Sequence, residues 1–342
     1  MQTMRAAVFV GPGRIEVQQR PTAVLAGPAD VLLRVEACGI CGTDLHVVAD
    51  PPAHPATVGV VLGHELIGIV VEAGREAVGL GVGERVAVSP NLSCGACAEC
   101  KRGLFSSCAN FSTIGIFQDG GLADFVSVPA RACHPISLAL SPRMAALAEP
   151  LSCVLNGVQQ AQPVPGQIAV VHGAGAIGLL FLAVLTAAGV RCIVVEPSAA
   201  RRQAARDMEA WAVLDPTTAD VTAEVLRLTG GGADLTVDAV GSQLSLALDV
   251  VRPRGRVLLF GMDSRARAAV GQILITRKEL TVVGTYVGDF MFPDAVRLLE
   301  AKLLDLGPVV SHWLPLDALQ DGLTALRDGT AVKVVIEIGG AC

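Results

Sequence analysis

Hydrophobic and polar positions follow two different textures along this 342-residue chain. From residue 4 to about 135, short β-rich runs at 5–10, 31–37, 66–71, 85–88 and 123–128 are punctuated by glycine and proline. That is the pattern of a β-barrel-like unit with long loops. From 166 to about 285 the texture changes. Strands are expected at 168–172, 192–196, 212–215, 234–240, 256–260 and 280–285, and helices between them at 176–188, 199–209, 221–228, 243–251 and 271–276. Six strands with intervening helices predict a doubly wound parallel sheet. Helical patterns at 294–301 and 316–328 and a closing strand at 332–338 are expected to return to the first unit. The expected division is 1–150 completed by 290–342, with 151–289 as the second unit.

Composition narrows the class. The chain is 52% hydrophobic and 17% charged, far from the polar, highly charged range of disordered chains. Its net charge is −6, with lysines and arginines scattered along it, so no footprint for nucleic acid or an anionic membrane is present. A small molecule is the expected partner. Residues 168–190 carry no charge and are long enough to span a bilayer. Gly173, Gly175 and Gly178 crowd the first half of that stretch, however, and a strand, a glycine turn and a buried helix account for the same residues. The first 13 residues hold one arginine and a short apolar run, unlike a secretory signal, so a cytosolic location is expected.

That location bears on the ten cysteines. Reducing conditions disfavour a disulfide framework, and Cys94-x2-Cys97-x2-Cys100-x7-Cys108 gathers four thiols in one loop. Four thiolates close a tetrahedral zinc site with no open position, which makes such a site structural. Cys38, Cys133, Cys153, Cys192 and Cys342 read as ordinary thiols. A second constellation is dispersed: Cys41 in Cys-Gly-Thr-Asp at 41–44, His64-Glu65 in Gly-His-Glu at 63–65, and Glu149 in Glu-Pro-Leu at 149–151. One sulfur, one imidazole and one or two carboxylates suit zinc with a position left for water or substrate. Glu149 has a competing reading as the cap of a helix beginning near Pro150.

The turn Gly173-Ala174-Gly175-Ala176-Ile177-Gly178 follows an apolar strand and opens an apolar helix. In that context the three glycines serve the turn, the approach of a pyrophosphate and the packing of helix on strand, and the helix N-terminus receives phosphate charge. Glu196 closes the next expected strand, where a carboxylate accepts the ribose hydroxyls of NAD and repels a 2′-phosphate. Arg201 lies beside it, with an adenine-stacking or surface role expected. Val240-Gly241 and Gly261-Met262 end the fourth and fifth strands, so their loops should border the nicotinamide half.

Taken together, these motifs resemble the zinc-containing medium-chain dehydrogenase/reductase superfamily over essentially the whole chain. The polyol, or sorbitol-dehydrogenase-like, branch and the threonine-dehydrogenase-like branch are the nearest in pattern. The resemblance implies a GroES-like catalytic domain, a Rossmann domain inserted in it, an active site in the cleft between them, and a homo-oligomer, dimer or tetramer. It implies two zinc ions per chain and NAD, with Cys41, His64 and Glu65 as catalytic ligands and Glu149 binding metal directly or through water. Thr43 and His46 match the hydroxyl and imidazole of a proton relay. The expected reaction is hydride transfer from a secondary alcohol, a sugar alcohol or cyclitol, to NAD. Threonine-type amino-alcohol oxidation is the alternative within the family, and a zinc-lobe interaction protein is the alternative outside it. No arginine occurs within 284–293, where sorbitol-type enzymes hold substrate hydroxyls with one. Phe117, Tyr286 and Phe290 are candidate pocket aromatics.

Overall fold

The computed structural model describes residues 2–339; Cys342 lies outside them. The chain opens with an antiparallel hairpin, β1 (Thr3–Gly11) against β2 (Arg14–Pro21). Next come β3 (Asp30–Ile40), a short helix α1 (Gly42–Val47), β4 (Glu65–Ala73) and β5 (Arg85–Val88). A lobe with β6 (Asn91–Leu92), α2 (Ala98–Lys101) and β7 (Ser112–Thr113) follows, and then β8 (Phe125–Pro129), β9 (Cys133–Pro135), α3 (Pro142–Ala145) and α4 (Ala148–Ala161). The second unit runs β10 (Ile168–His172), α5 (Ala176–Ala187), β11 (Arg191–Val195), α6 (Ala199–Asp207), β12 (Ala212–Leu214) and α7 (Val221–Thr229). It continues with β13 (Ala233–Asp238), α8 (Leu244–Val250), β14 (Val251–Leu259), α9 (Gln272–Lys278) and β15 (Thr281–Gly284). The chain then closes with α10 (Phe292–Ala301), β16 (Val310–Pro315), α11 (Leu319–Arg327) and β17 (Lys333–Glu337).

The six strands of the second unit form one wholly parallel sheet in the order β12-β11-β10-β13-β14-β15. Strand order therefore reverses beside β10, and in such sheets the crevice for a ligand lies at the carboxyl ends of the strands flanking that reversal. The uncharged stretch that matches a membrane span in length is the centre of this unit. Val170 and Val171 of β10 and the α5 side chains Leu179, Leu180, Phe181 and Leu182 are fully buried, each contributing about 1.5–3 kcal/mol by leaving water. Among the described residues no helix is long and apolar enough to cross a membrane.

The other large sheet has seven strands, β16-β17-β3-β4-β5-β9 with β8 also on β3. Two of them, β16 and β17, come from the end of the chain, and β17 pairs antiparallel with β3 through Val334–Ile40 and Ile336–Cys38. Direct strand pairing thus joins the C-terminal segment to the sheet that contains β3. The hydrophobic pattern did not single out β2, whose inward side chains are few and whose other positions are polar and exposed. It also left out β9, β16 and most of α4. That helix, wedged between the two units, buries Leu151 and Val154 in the same apolar cluster as Phe181 of α5.

Candidate active site

Cys41 sits at the N-terminus of α1, where its backbone N–H donates to Asp44 Oδ2 at 2.8 Å. Asp44 is the third residue of the helix, so its carboxylate folds back over the first turn and fixes Cys41. The other carboxylate oxygen lies 3.6 Å from His64 Nδ1, leaving Nε2 as the ring nitrogen free to meet a metal. His64 and Glu65 stand at the start of β4, with Glu65 directly opposite Gly39 of β3. The Cys41 sulfur, a His64 nitrogen and a Glu65 oxygen lie within 4.8 Å of one another. Gly39 makes room for this, because a Cβ there would collide with Glu65 Oε2 and come within 3.0 Å of Lys333 Cε.

The electrostatics of this cluster call for a cation. Burial alone would lower the pKa of His64, yet Asp44 and Cys41 raise it well above the ordinary histidine value. Asp44, Glu65 and Glu149 are all buried, a concentration of acidic groups that is costly unless positive charge balances it. Part of that charge comes from Lys333 on β17, itself only 2% exposed. Its ammonium contacts Glu65 Oε2, an ion contact rather than an aligned hydrogen bond, and donates to Ile40 O at 3.0 Å. Although burial opposes its charge, Glu65 and Cys41 hold the Lys333 pKa above the ordinary lysine value. Asp44 Oδ1 and His64 Nδ1 lack hydrogen-bond partners. A thiolate, an imidazole and a carboxylate converging in this setting fit zinc.

Glu149 does not join the set within 4.8 Å. It lies in the first turn of α4, one residue inside the helix, whose N-cap is Leu147 and makes no side-chain capping bond. The capping reading is therefore not met. The carboxylate is buried, and burial is what chiefly raises its pKa, with His64 and Lys333 pulling the other way. Oε1 accepts a hydrogen bond from the Cys153 thiol at 3.4 Å, which gives a contact at the site to a cysteine expected to be ordinary. Beside Glu149 opens a small cleft of about 50 Å³. Its aromatic lining is Phe105, Phe111 and Phe292, which corrects the expectation of Phe117, Tyr286 and Phe290. Tyr286 and Phe290 are largely exposed and instead pack against Phe111 and Phe105 from outside. Thr43 Oγ1 lies 3.7 Å from Cys41 Sγ. His46, one turn of α1 away, is half-buried, and its pKa is lowered by burial against the opposing charge of Asp263.

In the four-cysteine lobe the sulfurs of Cys94 and Cys100 are 4.0 Å apart and those of Cys97 and Cys108 3.9 Å apart. Tetrahedral ligation at the usual Zn–S length of about 2.3 Å requires sulfurs about 3.8 Å apart. Backbone N–H groups are already aimed at the sulfurs: Cys97 and Ala96 donate to Cys94, Cys100 to Cys97, and Cys94 and Asn110 to Cys108. The bonds from Ala96 and Cys97 bring the Cys94 pKa down to about 6.

The glycine turn and the loops after β13 and β14 lie together at the carboxyl ends of the parallel sheet. Gly173 has φ +96°, and a Cβ on Gly178 would strike Gly173 O, so helix and strand meet through hydrogen atoms alone. Gly175 faces open space, with Arg201 Nη1 near it. Arg201 is tethered by bonds to the carbonyls of Ala331 and Leu326. This tether leaves its third nitrogen, Nη1, beside the glycine turn. Glu196 accepts from Ala174 N and Ser198 N, both at 2.8 Å. Val240 and Met262 are exposed, while Gly241 and Gly261 lie backbone to backbone. Asp238, not identified from the sequence, organises this corner by accepting from the amides of Val240, Gly241 and Gln243 at 2.7–2.9 Å.

Fold and site together define a zinc-dependent, nicotinamide-linked alcohol dehydrogenase. Residues 27–138 match the family described as Alcohol dehydrogenase GroES-like domain, and 176–301 match Zinc-binding dehydrogenase. The chain is 35% identical to L-threonine 3-dehydrogenase of Pyrococcus abyssi, with 90% of this chain and 91% of that one covered. It is 34% identical to D-altritol 5-dehydrogenase of Agrobacterium fabrum, covering 92% and 94%. A Sinorhizobium meliloti protein described as a zinc-binding dehydrogenase, solved with NADP bound, superposes with a TM-score of 0.93 at 32% identity over 98% of this chain and all of that one. The chain belongs to the zinc-containing medium-chain dehydrogenase/reductase superfamily.

Proposed function

We propose that the protein oxidises a secondary alcohol of a sugar alcohol or cyclitol to a ketone with NAD as hydride acceptor. The observation that carries this reading is the buried Glu149 carboxylate, set between the Cys41/His64/Glu65 cluster and a cleft lined with hydroxyl and amide side chains. A carboxylate in that position suits a substrate bringing several hydroxyls. Cys41, His64 and Glu65 are the zinc ligands of this proposal, with Glu149 next to them, and Cys94, Cys97, Cys100 and Cys108 hold a second, structural ion. When bound, zinc is the Lewis acid that makes an alcohol hydroxyl acidic near neutral pH, and NAD takes the hydride. Thr43 receives the hydroxyl proton by hydrogen bond. His46, kept neutral by its burial, passes it to solvent. Asp44 orients Cys41 and His64, and Gly173, Gly175, Ala176, Ile177 and Gly178 receive the pyrophosphate, with Arg201 beside it. The loops at Val240-Gly241 and Gly261-Met262 border the nicotinamide.

The catalytic unit of this reading is 1–150 completed by 290–342, and the nucleotide unit is 151–289. Steady-state rates with NAD on a panel of polyols, cyclitols, amino alcohols and simple secondary alcohols test it. Matched vicinal diols should surpass mono-alcohols in kcat/KM, and Glu149→Ala should erode that advantage. A mono-alcohol preference in the unmodified protein would overturn the polyol assignment. Threonine oxidation is favoured as the second reading by the Pyrococcus abyssi relative. The Glu196 carboxylate supports NAD over NADP, and Glu196→Ser should raise NADP use about tenfold by removing repulsion of the 2′-phosphate. Equal efficiency with both cofactors in the unmodified protein would refute this preference. A homo-oligomer is supported by the exposed edge strand β15 and the neighbouring exposed Ile273, since bare edges recruit a partner strand. Light scattering that gives a monomer mass would exclude it. A cytoplasmic location agrees with the unpaired thiols of both metal sites.

A further inference from the structure

The cleft beside Glu149 has a charge pattern that narrows the substrate further, on the polyol reading given above. Its polar side chains are Ser89, Asn91, Ser93, Ser106 and Ser152, and its charged ones are Glu149 and Asp289. No lining side chain is basic. Glu149 is on the inner wall and buried, next to the metal cluster.

Asp289 comes from the segment that joins β15 to α10, and that segment is pinned against α4. Asn156 Nδ2 donates to Val287 O at 2.8 Å, and Gly288 lies so close to Ser152 that a Cβ there would strike its hydroxyl. Asp289, an exposed residue, is thereby held at the rim of the cleft, with neither an ion pair nor a side-chain hydrogen bond among the described residues. Partial desolvation raises its pKa, the behaviour of a carboxylate that lacks a cation.

We propose that Asp289 is a specificity-determining residue that selects a polyhydroxylated secondary alcohol carrying a protonated amine. The serine and asparagine side chains meet the hydroxyls, the reacting carbinol lies toward Glu149 and the metal cluster, and the ammonium pairs with Asp289. A charge-assisted hydrogen bond at this partly exposed rim is screened by solvent and gives about tenfold selection. The same two carboxylates repel an acid or phosphate group. For the carboxylate of an amino acid such as threonine the cleft offers no basic partner.

Glucamine, sorbitol and gluconate test this directly, because these acyclic polyols differ only at one terminal carbon, which bears an ammonium, a hydroxyl or a carboxylate. Calorimetric Kd values with the zinc- and NADH-loaded protein, and kcat/KM with NAD, should both rank glucamine at least tenfold above sorbitol, with gluconate last. The glucamine advantage should lie in KM and shrink as salt is added. Asp289→Asn, a substitution compatible with the left-handed backbone at φ +43°, should cut the glucamine-to-sorbitol ratio at least tenfold. Asp289→Lys should move the preference toward gluconate. Equal Kd for glucamine and sorbitol in the unmodified protein, or a ratio unchanged in Asp289→Asn, overturns the assignment. Should no alcohol be oxidised at all, the catalytic reading falls while the Kd ratios still decide this one.

Discussion

The two clusters of side chains suited to a metal ion are built on opposite plans. In the four-cysteine lobe every donor comes from one loop, two of the four cysteines are not buried, and the sulfurs are held by backbone N–H groups of their own segment. In the Cys41/His64/Glu65 cluster the donors come from two separated segments, His64 and Glu65 are buried, Asp44 of α1 orients the donors, and the balancing cation, Lys333, arrives from β17. The lobe supplies four sulfurs and closes a tetrahedron by itself, whereas the buried cluster supplies three donors, with Glu149 and its cleft beside it. Local chain geometry is therefore sufficient for a structural site, and a reactive site needs several elements to hold charge in a place that the backbone alone would not tolerate.

Substitutions at the two clusters should separate them, and the largest effect belongs to the buried one. His64→Ala should lower kcat/KM by on the order of a thousandfold or more while elemental analysis falls from two zinc ions per chain to one and the fold persists. Retention of both ions would dissolve the distinction between the clusters. Cys97→Ser should do the reverse, costing about 4 kcal/mol or more of stability because metal binding there is folding energy. An unchanged unfolding midpoint would show the lobe to be dispensable. Lys333→Met should destabilise the zinc-free protein by about 3 kcal/mol by leaving Glu65 buried without its cation, and zinc should recover much of that loss. Denaturant titrations with and without zinc measure both quantities, and equal losses in the two would mean that Lys333 acts through packing alone.

The smallest effect is on pH dependence. Burial lowers the pKa of His46 from the ordinary 6.5, so the neutral form that accepts a proton persists below that value. Alcohol oxidation should therefore decline only as pH falls through a pKa under 6.5, and His46→Gln should flatten that limb of the kcat/KM profile. A limb that survives the substitution would assign the titration to another group.

Much of this was legible along the chain because the signals are local. Four cysteines within one loop, three glycines between an apolar strand and an apolar helix, and an acidic residue at the next strand end each carry their chemistry in their spacing. The central parallel strands β10, β11 and β13 were readable because both faces are covered, which leaves continuous apolar runs. Other features lacked such a signal. β2 buries too little to show a periodicity. Asp238 is one acidic residue at a strand end until its three amide partners are seen. Cys153 passes for an ordinary core thiol, since nothing in sequence order says that the next turn of α4 faces Glu149.

What the sequence by itself determined is the inventory: two donor sets with zinc-like chemistry, a dinucleotide turn, and two kinds of secondary-structure texture. Only the tertiary structure decided how charge is balanced around the buried set. Lys333 sits in a strand that reads as plainly apolar, and it becomes part of the site because β17 pairs with β3 and brings its ammonium to Glu65 beneath Gly39. Asp289 likewise faces the cleft because α4 pins the segment before α10. Spacing records what neighbours along the chain can do together, whereas the energy of a buried charge depends on everything around it in space, including groups hundreds of residues away.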